Sequence, residues 1–306
     1  MITELSILIP TYNSCCLDTV RRLQQLCERI AADSPDSFHY EIVVADDGST
    51  DRSTIEHNQA ISTLRNCRFL RKDANSGAAA TRNYLADHSQ YRWLLFVDSD
   101  MQIPGMDFVM RYLPYDGYDV VNGGIAVGGS PDPANLRYRY EHHAAPRHTI
   151  DRCNARPYQQ FRSTNFLIAR PCFQQCRFDE RYTKSGYEDV DFGRRLEQQR
   201  ASILYIQNPL ILSSFETNEA YLQKCERNLR TLHRFRTELA AYSPLLTLAH
   251  RLRFATPLLR LWHRLFGHLE RRLLAGNHPT LFVFHLYRLG YYLTILPEKF
   301  ELLSEN

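Results

Sequence analysis

The stretch that most constrains the fold of this chain is a run of five bulky apolar residues, 93–97, which ends at Asp98-Ser99-Asp100. A strand without polar alternation is typical of a sheet that helices cover on both faces, as in parallel sheets. The two carboxylates then lie at the carboxyl end of the strand, where open α/β sheets bind ligands. Such a pair can hold a divalent cation together with a diphosphate, whereas the alternative is an ordinary solvated turn.

The residues before this run alternate between strand-like and helix-like segments. The predicted strands cover residues 5–9, 41–45, 67–70 and 93–97, and the predicted helices lie near residues 20–30, 53–64 and 78–86. This series predicts a mostly parallel sheet with right-handed crossovers and helices on both sides. Polar segments at residues 10–13, 46–51 and 98–100 follow three of the strands, so we expect them to form a cleft at one edge of the sheet.

The second half of the chain is less regular. We predict strands at residues 119–122, 166–169 and 202–206, a helix over residues 188–196 and a long helix over residues 219–239. The acids at the start of the helix at 188 also suit the helix dipole, so a capping role is the alternative to a chemical one. Residues 135–158 are irregular and rich in Arg, His and Tyr, and they either cover a site or form a solvated excursion.

Positive charge is concentrated towards the C-terminus. Residues 227–272 contain ten arginines and two glutamates, a charge of +8, which leaves −5 for the rest of a chain whose total is +3. Such asymmetry points to an anionic partner, with a membrane surface or a nucleic acid as the candidates. We expect a membrane surface and no nucleic acid.

A predicted helix that begins at Thr256-Pro257 belongs to this basic segment. Its apolar stripe consists of Leu258, Trp262, Leu265, Phe266, Leu269 and Leu273, and arginines interrupt it. An amphipathic helix of this kind either lies in a membrane interface or packs onto the main domain. The aromatic-rich residues 281–296 carry His285 and Arg288, which argues against a membrane span.

The cysteines and the N-terminus indicate the compartment. Eight cysteines are scattered along the chain without a repeated C-x-x-C, which favours reduced thiols. The apolar residues 5–9 that follow Met1 are too few for a secretory signal, and no 18-residue uncharged apolar run occurs. We therefore expect a cytoplasmic protein, with a peripheral location at the inner face of the plasma membrane as the further expectation from its basic segment.

Several motifs taken together resemble family 2 glycosyltransferases of the GT-A fold. They are Ile9-Pro10-Thr11-Tyr12-Asn13, Val43-Val44-Ala45-Asp46-Asp47-Gly48-Ser49-Thr50-Asp51, Asn75-Ser76-Gly77, Thr81-Arg82-Asn83 and Phe96-Val97-Asp98-Ser99-Asp100. The resemblance covers roughly residues 4–235. It implies an α/β nucleotide-sugar-binding domain over residues 1–240, with a mostly parallel central sheet flanked by helices, followed by a basic, helical C-terminal extension over residues 241–306.

The resemblance also implies roles on the donor side. Thr11 and Asp47 would lie against the nucleoside, with Asp47 accepting a hydrogen bond from the base, and Gly77 and Arg82 would bound the nucleotide pocket. A carboxylate suits that contact because it only accepts, and glycine suits a close approach of the backbone. A turn at the strand end and a helix start are the structural alternatives for Asp47 and Gly77.

Asp98 and Asp100 are the metal ligands that the resemblance implies, with Mg²⁺ or Mn²⁺ offsetting the charge of the leaving nucleoside diphosphate. Asp98 would also contact the nucleotide sugar. Many relatives carry a histidine about 20 to 30 residues after the acidic pair that corresponds to Glu188-Asp189. This chain has none in residues 208–218. Ser213, Ser214 or water would have to take its place.

The acceptor side rests on a second group of motifs. Phe178-Asp179-Glu180-Arg181 and Gly186-Tyr187-Glu188-Asp189-Val190-Asp191-Phe192 are similar to the acid-bearing segment of galactosyltransferase-like and chondroitin-polymerase-like members. Asp189 would be the general base, and Glu188 would bind the acceptor or orient the base. Asp191 would instead cap the helix or pair with Arg194 or Arg195.

These residues predict an inverting, metal-dependent glycosyltransferase that moves a sugar from a nucleotide sugar to a glycan or lipid-linked acceptor in polysaccharide or glycoconjugate assembly. The expected donor is a UDP-sugar. A catalytically silent nucleotide-sugar or glycan-binding protein on the same fold is one alternative, which the missing histidine favours. A nucleotidyltransferase is the other, but residues 10–14 lack the glycine-rich phosphate loop expected after its first strand.

Overall fold

The computed structural model describes residues 1–33, 38–130, 132–184 and 186–295. The chain folds into two compact units, one formed by residues 1–131 and 140–215 and the other by residues 132–139 and 216–306. The predicted boundary between residues 240 and 241 falls within the second unit and stays a prediction. Residues 296–306 of the predicted extension lie outside the described residues.

A seven-stranded sheet forms the core of the first unit. Its strands are β1 (Glu4–Thr11), β2 (His39–Asp46), β3 (Cys67–Arg71), β4 (Trp93–Val97), β5 (Val120–Asn122), β7 (Asn165–Ala169) and β8 (Ile203–Tyr205). They lie in the order β3-β2-β1-β4-β7-β5-β8. The first four pair in parallel, β7 runs antiparallel to both of its neighbours, and β8 is parallel to β5. The mostly parallel sheet predicted from the sequence is therefore confirmed.

Helices follow most strands of this sheet. They are α1 (Leu17–Asp33), α2 (Arg52–Gln59), α3 (Ala78–Asp87), α5 (Ile150–Ala155), α6 (Arg170–Gln175) and α7 (Glu188–Gln198). A further helix, α4 (Leu136–Ala144), includes the residues at which the chain passes from the second unit back to the first. In α1 the buried residues recur at helical spacing, which explains the clear signal of this helix. The second predicted helix ends earlier than expected, at Gln59, and a 3-10 turn (Ala60–Thr63) follows it.

The expectation that residues 135–158 are irregular is wrong, because α4 and α5 lie within them. A side-chain cap begins α4, since Oδ1 of Asn135 accepts from the Tyr138 amide at 2.9 Å. Leu136 is the buried residue of that helix, so α4 has no apolar stripe that would reveal it in the sequence.

A smaller parallel sheet pairs β6 (Ile125–Val127) with β9 (Leu210–Leu212). An antiparallel bridge also joins Gln102 to Ile211, with amide-to-carbonyl distances of 3.0 and 2.9 Å. The bridge therefore ties the segment after the acidic tripeptide to the middle of β9.

Aromatic packing fixes the elements that carry the predicted site. Phe178 and Phe192 stack with ring centroids 4.0 Å apart, and Phe96 stacks on Phe166 at 4.8 Å. The rings of Phe166 and Phe192 lie 6.0 Å apart, which joins the two pairs. Phe96 lies two residues before Asp98 and Phe192 belongs to α7, so β4 and α7 pack in one core.

The described part of the second unit is helical. It contains α8 (Asn218–Arg234), α9 (Pro244–Arg251), α10 (Thr256–Ala275) and α11 (Leu281–Thr294). The first of these ends before the predicted Leu239, at Arg234. Glycines 267 and 290 both lie against the ring of His263, so α10 and α11 approach closely there. Among the described helices, none is both long and apolar enough to cross a bilayer.

Candidate functional site

The parallel strands end at one edge of the sheet, and their polar termini meet there. The amide of Asp47 donates to the carbonyl of Thr11 at 2.9 Å, which joins the ends of β1 and β2. The amide of Lys72 donates to the carbonyl of Asp46 at 2.9 Å, which adds the end of β3. The ends of β1, β2 and β3 therefore lie side by side, at the edge where open α/β sheets bind ligands.

Asp47 is buried and receives hydrogen bonds from several protein groups. Its Oδ1 accepts from Lys72 Nζ at 2.8 Å and from the amide and hydroxyl of Ser76 at 3.0 Å each, while Oδ2 accepts from the amide of Gly77 at 2.9 Å. Burial alone would raise the pKa of Asp47, but the Lys72 and Ser76 bonds outweigh it and the pKa is lowered. Among the described residues, the hydrogen bond recorded at Oδ2 is the one from Gly77, and this oxygen has a second lone pair for a further donor.

Thr11 and Gly77 flank this carboxylate. The hydroxyl of Thr11 donates to the carbonyl of Ser14 at 2.9 Å. Gly77 precedes α3 with φ +94°, and a Cβ there would lie 2.8 Å from the carbonyl oxygen of Thr183. The close backbone approach that glycine permits is therefore made here to another segment of the same chain.

Arg82 lies on the buried side of α3 and joins both parts of the predicted site. Its Nη2 donates to Oδ1 of Asp98 at 2.7 Å, and its Nη1 lies 3.9 Å from Oε1 of Glu188. The guanidinium carbon lies 5.5 Å from the centre of the Phe178 ring. Within the described residues, the buried Nε and Nη1 atoms have no hydrogen-bond partner, although Arg82 is only 4% exposed. A buried guanidinium with unused N–H groups is suited to an anionic ligand.

Asp98 is partly buried and Asp100 is exposed at the end of β4. Across the part of the chain that the structure describes, no three His, Cys, Asp or Glu residues form a group that could hold a metal. Two carboxylates fit the way in which Mg²⁺ is held when substrate phosphates and waters supply its other ligands. The residues present therefore fit a cation that binds together with a diphosphate.

Glu188 and Asp189 begin α7. The chain enters this helix through Gly186 and Tyr187, which both have positive φ, at 103° and 69°. The turn lets the amide of Gly186 donate to Oε2 of Glu188 at 2.8 Å. Burial raises the pKa of Glu188, and the adjacent Asp189 raises it further, while Arg82 lowers it. Burial also raises the pKa of Asp189, which makes its carboxylate a stronger base.

Arg162 is a charged neighbour of Asp189 that no sequence motif indicated, and its positive charge lowers the pKa of Asp189. Its Nη2 lies 2.9 Å from Nε2 of His148, and its Nη1 lies 3.5 Å from Oε2 of Glu141. Burial, followed by the Arg162 charge, lowers the pKa of His148 to about 4. His148 is therefore neutral at pH 7 and can accept a hydrogen bond from Arg162.

Asp191 has the structural role expected for it. Its Oδ1 accepts from Arg194 Nη2 at 2.7 Å, and its Oδ2 accepts from Arg195 Nε at 2.7 Å. The prediction that Asp191 pairs with these arginines is confirmed.

The predicted residues thus fall into two contact groups. Thr11, Asp47 and Gly77 are linked by direct contacts, and Arg82 contacts both Asp98 and Glu188. Lys72, which donates to Asp47, was not predicted. It directly follows the parallel strand β3 and could have been found by the rule used for the other strand ends. Arg162 lies outside every motif, so sequence spacing gave no signal for it.

Comparison with known proteins identifies the family. The model of glycosyl transferase family 2 matches residues 6–180, which is more than half of the 306 residues. Chondroitin synthase from Escherichia coli is 25% identical over 235 residues, and an uncharacterized glycosyltransferase from Haemophilus influenzae is 31% identical over 96 residues. These alignments cover 65% and 31% of this chain. The chain spans about a third of the length of these curated relatives, 33% and 29%.

Two solved structures share the fold. A mannosyltransferase from Pyrobaculum calidifontis, PcManGT, in complex with GDP-Man and Mn²⁺, gives a TM-score of 0.54 at 14% identity, over 94% of this chain and 85% of that chain. Residues 1–349 of S. aureus TarS, in complex with UDP-GlcNAc, give a TM-score of 0.51 at 16% identity, over 95% of this chain and 90% of that one. At these identities the likeness supports the GT-A-like fold, and the match of the family model shows that this chain belongs to glycosyl transferase family 2.

Proposed function

We propose that this protein is an inverting, metal-dependent glycosyltransferase that moves a sugar from a nucleotide sugar to a glycan or lipid-linked acceptor. The observation that carries the proposal is the position of Arg82, whose buried guanidinium contacts Asp98 on one side and approaches Glu188 on the other. One charged group thus links the carboxylate proposed for the leaving group with the acid pair proposed for the acceptor.

On the donor side, Thr11, Asp47 and Gly77 would bound the nucleoside pocket, and the free lone pair of Asp47 Oδ2 could accept from the base. Asp98 and Asp100 would hold Mg²⁺ or Mn²⁺, which when bound supplies positive charge against the diphosphate that leaves. The unused N–H groups of Arg82 would donate to the same diphosphate. Ser213, Ser214 or water would complete the ligand set in place of histidine.

On the acceptor side, Asp189 would take the proton from the attacking hydroxyl. The raised pKa of Asp189 supports this role, because a more basic carboxylate removes a proton more readily at neutral pH. Glu188, held by Gly186 and close to Arg82, would orient the acceptor or the base. A single displacement with no protein nucleophile inverts the anomeric centre of the sugar.

The comparisons support the substrate classes. The two related structures hold UDP-GlcNAc and GDP-Man with Mn²⁺, which supports a nucleotide-sugar donor and a divalent cation, and we propose a UDP-sugar. The match to chondroitin synthase supports a growing glycan as the acceptor in polysaccharide or glycoconjugate assembly. The eight free cysteines support action in the reducing cytoplasm. The basic segment of residues 227–272 supports a location at the inner face of the plasma membrane.

A panel of nucleotide sugars tests the proposal. Purified protein with Mn²⁺ should release the nucleoside diphosphate from at least one UDP-sugar, release should stop with chelator, and NMR of the transfer product should show the opposite anomeric configuration. Donor binding without turnover on any acceptor would favour the silent sugar-nucleotide-binding protein instead.

A further inference from the structure

The helix α10 exposes an apolar stripe rather than burying it. Large apolar residues along it remain exposed, with Leu258 at 70%, Leu265 at 56% and Leu273 at 55%. The same stripe includes Leu261, Trp262, Phe266 and Leu269. The sequence left two outcomes open for this helix, and within the described part of its own unit the stripe is not packed against the neighbouring helices.

The opposite face of α10 is the one that packs. Its buried residues, Gly267, Glu270 and Leu274, recur at helical spacing on that side. Glu270 is the acidic residue of α10, and its Oε1 accepts from Trp262 Nε1 at 2.8 Å inside the unit. The exposed face of α10 therefore carries no carboxylate.

A row of basic residues runs along one flank of the stripe. Arg264, His268 and Arg272 are spaced four residues apart and are all exposed. Neither of these arginines forms an ion pair with any residue in the described ranges. Arg271, in contrast, is held by Glu219 at 2.6 Å and by Glu226 at 2.9 Å. The unpaired arginines thus belong to the surface with the apolar stripe.

The turn before the helix continues this surface. Phe254 is 85% exposed, and the guanidinium of Arg253 lies 4.7 Å from its ring centre. An apolar stripe with cations on its flank is the pattern of a helix that lies in the plane of a bilayer interface, with apolar groups at the acyl boundary and cations at the phosphates. A second copy of the chain would be equally basic in this segment, so charge complementarity favours an anionic surface over self-association.

We propose that the exposed face of α10 docks this protein on an anionic lipid bilayer. Vesicle co-sedimentation tests this with the whole 306-residue chain and no nucleotide sugar, so its outcome is separate from that of the proposed transfer reaction. The protein should pellet with vesicles that contain phosphatidylglycerol, stay in solution with phosphatidylcholine alone, and be released by salt.

Two variants separate the contributions of the apolar stripe and of the basic residues to vesicle binding, and a third variant is the control. Leu265→Ser with Leu269→Ser, and separately Arg264→Glu with Arg272→Glu, should each weaken vesicle binding about tenfold or more. Arg29→Glu with Arg52→Glu changes the net charge equally on exposed positions of α1 and α2, and it should change binding far less. Since all of these side chains are exposed, circular dichroism should show an unchanged fold.

Tryptophan fluorescence gives an independent readout. The chain has two tryptophans, of which Trp93 is buried and Trp262 is 44% exposed on the proposed surface. Anionic vesicles should therefore shift the emission of Trp262 to shorter wavelength. Unchanged vesicle binding by the leucine variant would overturn the proposal. A dimer in analytical ultracentrifugation that the leucine variant abolishes, without vesicle binding by the parent protein, would assign this face to a second copy instead.

Discussion

Nη2 of Arg82 donates to Oδ1 of Asp98 across 2.7 Å, and the arginine is buried while the aspartate is partly exposed to solvent. The same guanidinium lies 3.9 Å from Glu188. Arg82 of α3 thereby holds together Asp98, which follows β4, and Glu188 of α7. The proposed role of Asp98 is to bind the cation, and that of Glu188 is to orient the acceptor or the base. This arrangement makes Arg82 the residue whose removal should disturb both halves of the site.

Arg82→Gln should lower the free energy of unfolding by about 3 kcal/mol, because it leaves partly buried carboxylates without their cation. It should also weaken binding of the nucleoside diphosphate. Urea denaturation and calorimetric titration measure the two effects. Arg21→Gln, which breaks an exposed ion pair with Asp18, is the control and should cost less than about 1 kcal/mol. Equal effects of the two changes would show that Arg82 has no special structural role.

Asp100→Ala should weaken UDP binding in the presence of Mn²⁺ and leave the weaker binding in chelator unchanged, because the carboxylate acts on the diphosphate through the cation. Calorimetric titration in both conditions measures this. Asp18→Ala, on an exposed position of α1, should change neither affinity. If the parent protein binds UDP equally well with Mn²⁺ and with chelator, the metal role is excluded.

Asp47→Asn should destabilise the protein by about 3 kcal/mol at pH 7, because Lys72 would lose its buried counter-charge. The pKa of Asp47 is lowered in the fold, so its stabilising effect is present above the unfolded value of 3.8 and is lost as the pH falls through the folded value. Stability of the parent protein and the variant should therefore converge below pH 3.8. A constant difference across that range would contradict the assignment.

Much of the fold could be predicted from the spacing of apolar residues along the sequence. The strand 93–97 and the stripe of α1 were predictable because apolar spacing reports burial directly. The helices α4 and α5 were not predicted. In α4 the side chain of Asn135 caps the helix start, and the helix has no apolar stripe that the sequence could reveal. The antiparallel direction of β7 could not be predicted either. The direction of a strand depends on the path by which the chain returns to the sheet and not on the local pattern of apolar residues.

The candidate site was predictable where residues follow parallel strands, since strand ends meet at one edge whatever their separation in sequence. Thr11, Asp47 and Asp98 belong to this class. The contact between Arg82 and Glu188 depends instead on the packing of α3 and α7 about Phe178 and Phe192, which no local pattern encodes. The same reason explains why Arg162 was missed.

Arg162→Gln should shift the acid limb of the pH profile of kcat/KM to higher pH. Asp189 must be deprotonated to act as base, and its pKa is raised by burial and lowered by Arg162, so removal of the arginine raises it further. The profile is measured with saturating cation and limiting donor. Arg156→Gln, at an exposed position, should leave the limb in place. An unshifted limb in Arg162→Gln would mean that another group titrates.

The central claim is that Asp189 removes the acceptor proton while a separate group of residues holds the donor. Asp189→Asn keeps the size of the side chain and its hydrogen bond to the Val190 amide, but removes its basicity. Single-turnover transfer, measured beside calorimetric donor binding, should fall by roughly two to four powers of ten with donor affinity unchanged. Glu188→Gln should slow the step less, and exposed Asp151→Asn should not slow it. Near-normal transfer by Asp189→Asn, or a product that retains the donor's anomeric configuration, would contradict this account.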